Sequence, residues 1–139
     1  MEILRISTTH ELLIHKNKKA VAILADYSYD EGALRVLAEK KSLMVLVSLD
    51  NLLKTRGMAR SRLLYKLRNF LKLCTRFGVL FLLGFEDDIK NSSYSVREKS
   101  EIIAIGQLLG LNKGQSKMAV ARFEDLFIKN EKNKKELTE

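Results

Sequence analysis

The stretch Leu43–Gly84, LMVLVSLDNLLKTRGMARSRLLYKLRNFLKLCTRFGVLFLLG, sets the architecture. It opens on the near-continuous apolar run Leu43–Leu49 and closes on another, Val79–Gly84. Short apolar runs without polar alternation predict parallel strands covered on both faces. Between them, Met58–Arg76 has the period of a helix. Leu63, Leu67, Phe70, Leu71 and Cys74 fall within about 100° of one another at 3.6 residues per turn. Arg62, Arg68, Lys72 and Arg76 lie on the opposite side, and Gly78 stops the helix at a position where glycine tolerates a left-handed backbone. Cys74 sits inside the apolar stripe and reads as core packing, because a reactive thiolate needs exposure and positive neighbours.

Working outward, two more apolar segments, Glu2–Ser7 and Ala20–Ala25, read as strands. Thr8 with Glu11, and Ser28 with Glu31, have the spacing of a capping box, so each strand is followed by a helix start. This βαβα order predicts a parallel sheet with right-handed crossovers. Beyond Gly84, Glu86–Ser95 reads as a polar loop, followed by a helix over Arg97–Leu109 and a last one over Gln115–Ile128. Gly106 lies inside the first of these, where it costs helix propensity and points to close packing against a neighbour. Gly110 is a helix-stop signal. The expectation is one α/β domain over residues 1–128, with Lys129–Glu139 a charged tail too poor in apolar residues to pack. There is no internal repeat.

Lys and Arg total 25 against 17 for Asp and Glu, a net charge of +8. Such an excess favours polyanionic partners through counterion release, although a small domain carries a charge of roughly 2–8 for solubility alone. The single cysteine excludes an intrachain disulfide and fits a reducing compartment. No apolar run approaches the roughly 20 residues needed to span a bilayer. Nothing at the N-terminus resembles a signal peptide, since Glu2 comes early and no cleavage-type site follows an apolar core. A soluble, cytoplasmic protein without membrane partners is expected.

Catalytic and metal-binding signatures are sparse. His10 and His15 are five residues apart on one expected helix, about 140° from each other, unlike the i,i+4 pair of a helical zinc site; a solvated role is expected for both. The chain holds no GxxxxGK[ST] and no GxGxxG. Glu86, Asp87 and Asp88 follow the last strand, at the end where α/β folds carry their functional loops. Three carboxylates there form either a divalent-cation site or a solvated loop, and no ligand-spaced partner accompanies them. No bound metal or cofactor is expected.

One segment has a family likeness. Ser95–Phe127, SVREKSEIIAIGQLLGLNKGQSKMAVARFEDLF, resembles the C-terminal signature of ribonuclease P protein component 3, a family of archaea with a eukaryotic counterpart. Arg97, Gly106, Gly110, Gln115 and Lys117 fall at matching positions. MARSRLLYKLRNFLKLCTRFGVLFLL is similar to the family's long basic helix and next strand, with Arg60 matching its leading arginine. LRVLAEKKSLMVLVSLDNLL and MEILRI match earlier units. The chain departs from the family where Gly84-Phe85-Glu86 stands for a polar Ser or Thr after the last strand, and where Gly32 stands for a histidine. The resemblance implies a TIM-type α/β barrel, of which this chain covers the C-terminal half. It also implies a non-catalytic subunit of the enzyme that removes the 5′ leader from precursor tRNA. In that enzyme the RNA performs the chemistry with Mg2+. Implied partners are the ribonuclease P RNA, precursor tRNA and the ferredoxin-like protein component 2.

A (β/α)8 barrel uses about 250 residues, hence about 31 per unit, so 139 residues supply about four units. Half a barrel leaves its inner face open. About six wet aliphatic side chains there would forgo about 9–18 kcal/mol. Either two copies associate, or a separate chain supplies the other half, or a late helix folds over the open face. Arg60 and Arg97 open their helices and are expected to border the carboxyl ends of the strands, where guanidiniums can fork onto phosphate. The alternative for Arg97 is a pair with a carboxylate of Glu86–Asp88. Lys72 and Arg76 read as a basic face that either cushions RNA or is merely solvated, and Lys117 joins the RNA-binding set through the resemblance. Two other readings remain: a different basic ribonucleoprotein scaffold, and a small metal-dependent α/β hydrolase using Glu86, Asp87 and Asp88.

Overall fold

The structure, a computed structural model, describes residues 2–27, 30–91 and 96–128, apart from the side chains of residues 96 and 97. The expected Ser28 cap, residues 92–95 of the expected loop, and the tail Lys129–Glu139 lie outside the described residues. Four strands, β1 (Glu2–Ile6), β2 (Ala20–Leu24), β3 (Leu43–Ser48) and β4 (Phe81–Gly84), form one sheet in the order β1-β2-β3-β4. Every neighbouring pair is parallel, with Ala22 opposite Val45 and Leu46 opposite Leu82. The α/β class and parallel sheet read from the apolar runs are therefore present. β4 begins two residues later than expected. The Gly78 and Val79 amides both bond to Cys74 O, so leaving the preceding helix uses up Val79 before the ladder begins.

After β1 comes a 3-10 helix, Thr9–His15. Its Thr8 makes no side-chain cap; Glu11 instead reaches back to the Ser7 amide at 3.2 Å, one residue earlier than the expected box. Helix α1 (Glu31–Lys40) is capped by Asp30, whose Oδ1 accepts from the Ala33 amide at 3.2 Å. The helix begins at Glu31, which puts the N-cap at Asp30 where Ser28 was expected. A short helix α2 (Asp50–Lys54) precedes the long α3 (Gly57–Phe77), which ends on Gly78 at φ 82°. Residues Glu86–Asn91, expected as loop, form helix α4. Asp and Glu in a first turn suit the positive end of the helix dipole, so a polar composition there marks a helix start as readily as a loop. Helix α5 (Val96–Leu108) and α6 (Lys113–Phe127) complete the chain. A reciprocal Asn112–Gln115 capping box sets the α6 start two residues early, with bonds of 2.8 and 3.0 Å.

The two sheet faces are covered differently. Ala20, Ala22, Leu24, Leu43, Val45, Val47, Phe81 and Leu83 point into one core with Leu12, Leu34, Leu37, Leu67, Phe70, Leu71 and Cys74 of the crossover helices. The opposite parity, Val21, Ile23, Leu46 and Leu82, packs with Phe123 of α6, flanked by Leu126, Phe127 and Ile89. Val21, Leu46 and Leu82 are fully buried. A late helix, one of the three expected covers, therefore lies over the second face of the sheet. α6 also seals the β4 edge, since Arg122 donates to Phe81 O at 3.2 Å. It is held to α5 by Ser116 Oγ bonding to Ile103 O at 2.7 Å and by the Lys99–Glu124 ion pair at 2.9 Å. Gly106 makes that contact possible. A Cβ there would collide with Ser116 and stand 2.8 Å from Leu83 Cδ1, as its position inside the helix suggested.

Candidate nucleic-acid interface

Two surfaces carry polar chemistry. The first is a pocket at the carboxyl ends of the strands, lined by Arg5, Ser7, Tyr27, Ser48, Asn51 and Glu86. Parallel topology brings these ends together, and ligands of open α/β sheets bind there. Glu86 is the hub. Its carboxylate meets Arg5 Nη2 at 2.6 Å and accepts from Ser48 Oγ at 3.0 Å, while its amide donates to Asp50 Oδ1 at 2.9 Å. Tyr27 is buried under the pocket, accepting from the Ser48 amide at 3.1 Å and donating to Leu46 O at 3.3 Å. Burial pushes its hydroxyl up to about 12, so it stays a neutral structural donor.

The three acidic residues after β4 do not converge. Successive residues on a helix point about 100° apart, and in α4 Glu86 turns into the pocket, Asp87 to solvent and Asp88 into the protein. Burial, then the nearby Glu98, Asp50 and Asp87, push the Asp88 carboxyl up to about 6. Its Oδ2 is buried without a hydrogen-bond partner. Among the described residues, no three His, Cys, Asp or Glu side chains come together to hold a metal. His10 is exposed and meets Asp30 Oδ2 at 3.2 Å. His15 is half-buried, with Nδ1 lacking a partner, rather than solvated as expected. Cys74 is buried, as its place in the apolar stripe indicated.

The second surface is the outer side of α3. Its 21 residues carry Arg60, Arg62, Lys66, Arg68, Lys72 and Arg76 and no carboxylate, and all six cations are exposed. Lys66 pairs with Asp26 at 3.2 Å. Among the described residues, the other five form no ion pair. Arg76 and Arg35 both stack on the Phe77 ring, at 5.6 and 5.0 Å from its centroid. The amphipathic pattern of the sequence produced this helix: the apolar stripe fixes one side on the sheet and leaves the cations on the other.

The sequence-selected residues do not form one patch. Arg60 lies in the first turn of α3, toward the carboxyl ends. Arg97 is the second residue of α5, but its side chain lies outside the described residues. Lys72 and Arg76 lie in the last turns of α3, and at 1.5 Å per residue Arg76 is about 24 Å along the axis from Arg60. Lys117 is exposed on α6, near the helix start that shares a cleft with Val79 and Leu80 at the amino end of β4. Among the described residues, the same end of the sheet also holds Asp26, Asp50, Glu86 and Asp87, with Arg5 and Lys66. Among the described residues, carboxylates thus stand at the strand ends beside these cations, and further positive charge runs down the flank of α3. The Glu86 carboxylate, one of three offered as a partner for Arg97, pairs with Arg5, and a pairing by Arg97 falls on a side chain outside the described residues.

Sequence reading missed Arg5, Ser48 and Tyr65. Arg5 interrupts an edge strand and Ser48 closes a buried one, both polar breaks at strand ends. Tyr65 is an aromatic on the cationic side of the helix, 70% exposed. No protein-family profile, curated protein or solved structure matches the chain. Among the described residues, no helix is long and apolar enough to cross a membrane.

Proposed function

We propose that this protein is a non-catalytic RNA-binding subunit of a ribonucleoprotein, and that the ribonucleoprotein is ribonuclease P. The observation that carries the RNA-binding reading is α3: six exposed cations without a carboxylate on one helix. Rows of unpaired Lys and Arg neutralise phosphates and release their counterions, which supplies much of the affinity of proteins for nucleic acids. Side chains four residues apart on a helix are about 6 Å apart along the axis and turned by about 40°, so Arg68, Lys72 and Arg76 form a gently winding ladder for a polyanion. Assignment to ribonuclease P rests on the resemblance of Ser95–Phe127 and of the basic helix. The half-barrel reading is supported by four parallel strands in sequential order, each feeding a helix. In this reading α6 replaces the missing half-barrel as a cover for the inner face, and the chain works in the cytoplasm beside component 2 and the catalytic RNA. The divergence of Glu86, Asp87 and Asp88 weighs against the metal-dependent hydrolase.

The test is reconstitution. The full chain should co-purify with ribonuclease P RNA and raise precursor-tRNA cleavage when added with the other protein subunits and Mg2+. Replacing Arg68, Lys72 and Arg76 together by Gln should make the log–log salt dependence of RNA binding shallower by about 2–3, at about 0.9 per phosphate contact. Binding to unrelated RNA with equal affinity, and no effect on cleavage, would reduce the assignment to a general scaffold. An unchanged salt slope would remove α3 from the interface.

A further inference from the structure

A groove of about 720 Å³ runs along α3, walled on the far side by the turn Leu109–Gly110–Leu111 after α5. Its near wall is a single strip of the helix: Ser61, Tyr65, Arg68, Lys72 and Thr75 fall within about 80° at 100° per residue. The floor is apolar, formed by Leu64 and the buried Leu71, Leu109 and Leu111. Gly110, at φ +100°, turns the chain so that this wall closes over the helix. No carboxylate lines the groove. Tyr65 stands at its lip, 70% exposed, and Asn69 adds a half-buried amide beside it.

A smooth basic helix face suits any polyanion. This one differs in having an apolar slot and an exposed aromatic ring beside two unpaired cations. Duplex RNA hides its bases in the stack and offers nothing to such a slot. An unpaired base has an apolar face that stacks on Tyr and edges that an amide can read, with its phosphates left for Arg and Lys. An acidic peptide would use the cations but leave the slot and ring without a matching group. We propose that this groove holds an unpaired nucleobase of RNA, stacked on Tyr65, with Arg68 and Lys72 on the flanking phosphates. The inference rests on the RNA-binding reading above and adds to it a preference for single-stranded segments.

The experiment titrates the full chain with a short labelled single-stranded oligoribonucleotide of mixed sequence, and with a hairpin duplex of equal phosphate number. Tyr65→Ala should weaken single-strand binding about five- to a hundredfold, the range for losing one stacked base, and leave duplex binding unchanged. Tyr65→Phe should retain the affinity. Arg68→Gln and Lys72→Gln should weaken both RNAs and each lower the single-strand salt slope by about 0.7. If the Gln variants act while Tyr65→Ala does nothing, α3 still binds RNA and the stacking groove is refuted. If wild type binds neither RNA, both readings fall together. A polyglutamate peptide that displaces the oligonucleotide and itself depends on Tyr65 would assign the groove to a protein partner and overturn the inference.

Discussion

Phe123 is the residue on which the closed sheet face depends, so its truncation has the most to reveal. The ring is fully buried among Val21, Ile23, Leu46 and Leu82, with Phe127 at 5.3 Å between centroids. It lies over Gly84, where an added Cβ would stand 2.5 Å from Phe123 Cε2. Removing a core phenyl ring costs about 3–5 kcal/mol in lost transfer and residual cavity. Net stabilities are about 5–15 kcal/mol. At about 3–5 °C per kcal/mol for a chain of this length, Phe123→Ala should lower Tm by about 10–20 °C. Gly84→Ala should cost about 1–3 kcal/mol by overpacking against the same ring. In the Phe123→Ala background the new methyl enters vacated space, so most of that penalty should vanish, a coupling of about 1–3 kcal/mol. With no tryptophan in the chain, urea unfolding followed by far-UV circular dichroism is the assay, and sedimentation velocity reports whether the uncovered face makes the variant associate. A Phe123→Ala loss below about 1 kcal/mol would refute the packing argument. So would Gly84→Ala costing the same in both backgrounds.

Asp88 makes a signed prediction about pH. Its folded pKa is raised to about 6, so between about pH 4 and 6 the folded state binds more protons than the unfolded chain, and stability falls as pH rises. Asp88→Asn should remove that slope and stabilise the protein at pH 7 by about 1–2 kcal/mol, after allowance for solvent screening; a destabilised variant with the slope intact would contradict it. Burial also pushes the Cys74 thiol up, so a thiol reagent at mildly alkaline pH should modify it only after unfolding, and rapid labelling of the native chain would contradict the packing of α3. Asn112→Ala removes one half of the α6 capping box and should cost about 1 kcal/mol in thermal unfolding; a neutral result would mean that packing against α5 alone fixes the α6 start.

The four strands and the long amphipathic helix were legible in the chain because burial writes itself into sequence. A strand covered on both faces holds few polar residues, as AVAIL and the LMVLV of β3 attest, and a helix with one side on a sheet must repeat its leucines every three or four residues. The exposed cations of α3 followed from that same periodicity, and the close contact at Gly106 from a glycine placed inside a helix. Other features depend on which segments meet in space, and no local pattern encodes that. Ser48, Asp50, Glu86 and Arg5 become a network only because parallel pairing aligns four strand ends. Glu86–Asn91 looks like a loop until its first-turn carboxylates are placed at a helix end. The alternation of α6 could not say which sheet face it would cover; the fit of Phe123 against Gly84, and of Arg122 on the β4 edge, settled that by shape and by an otherwise unpaired carbonyl.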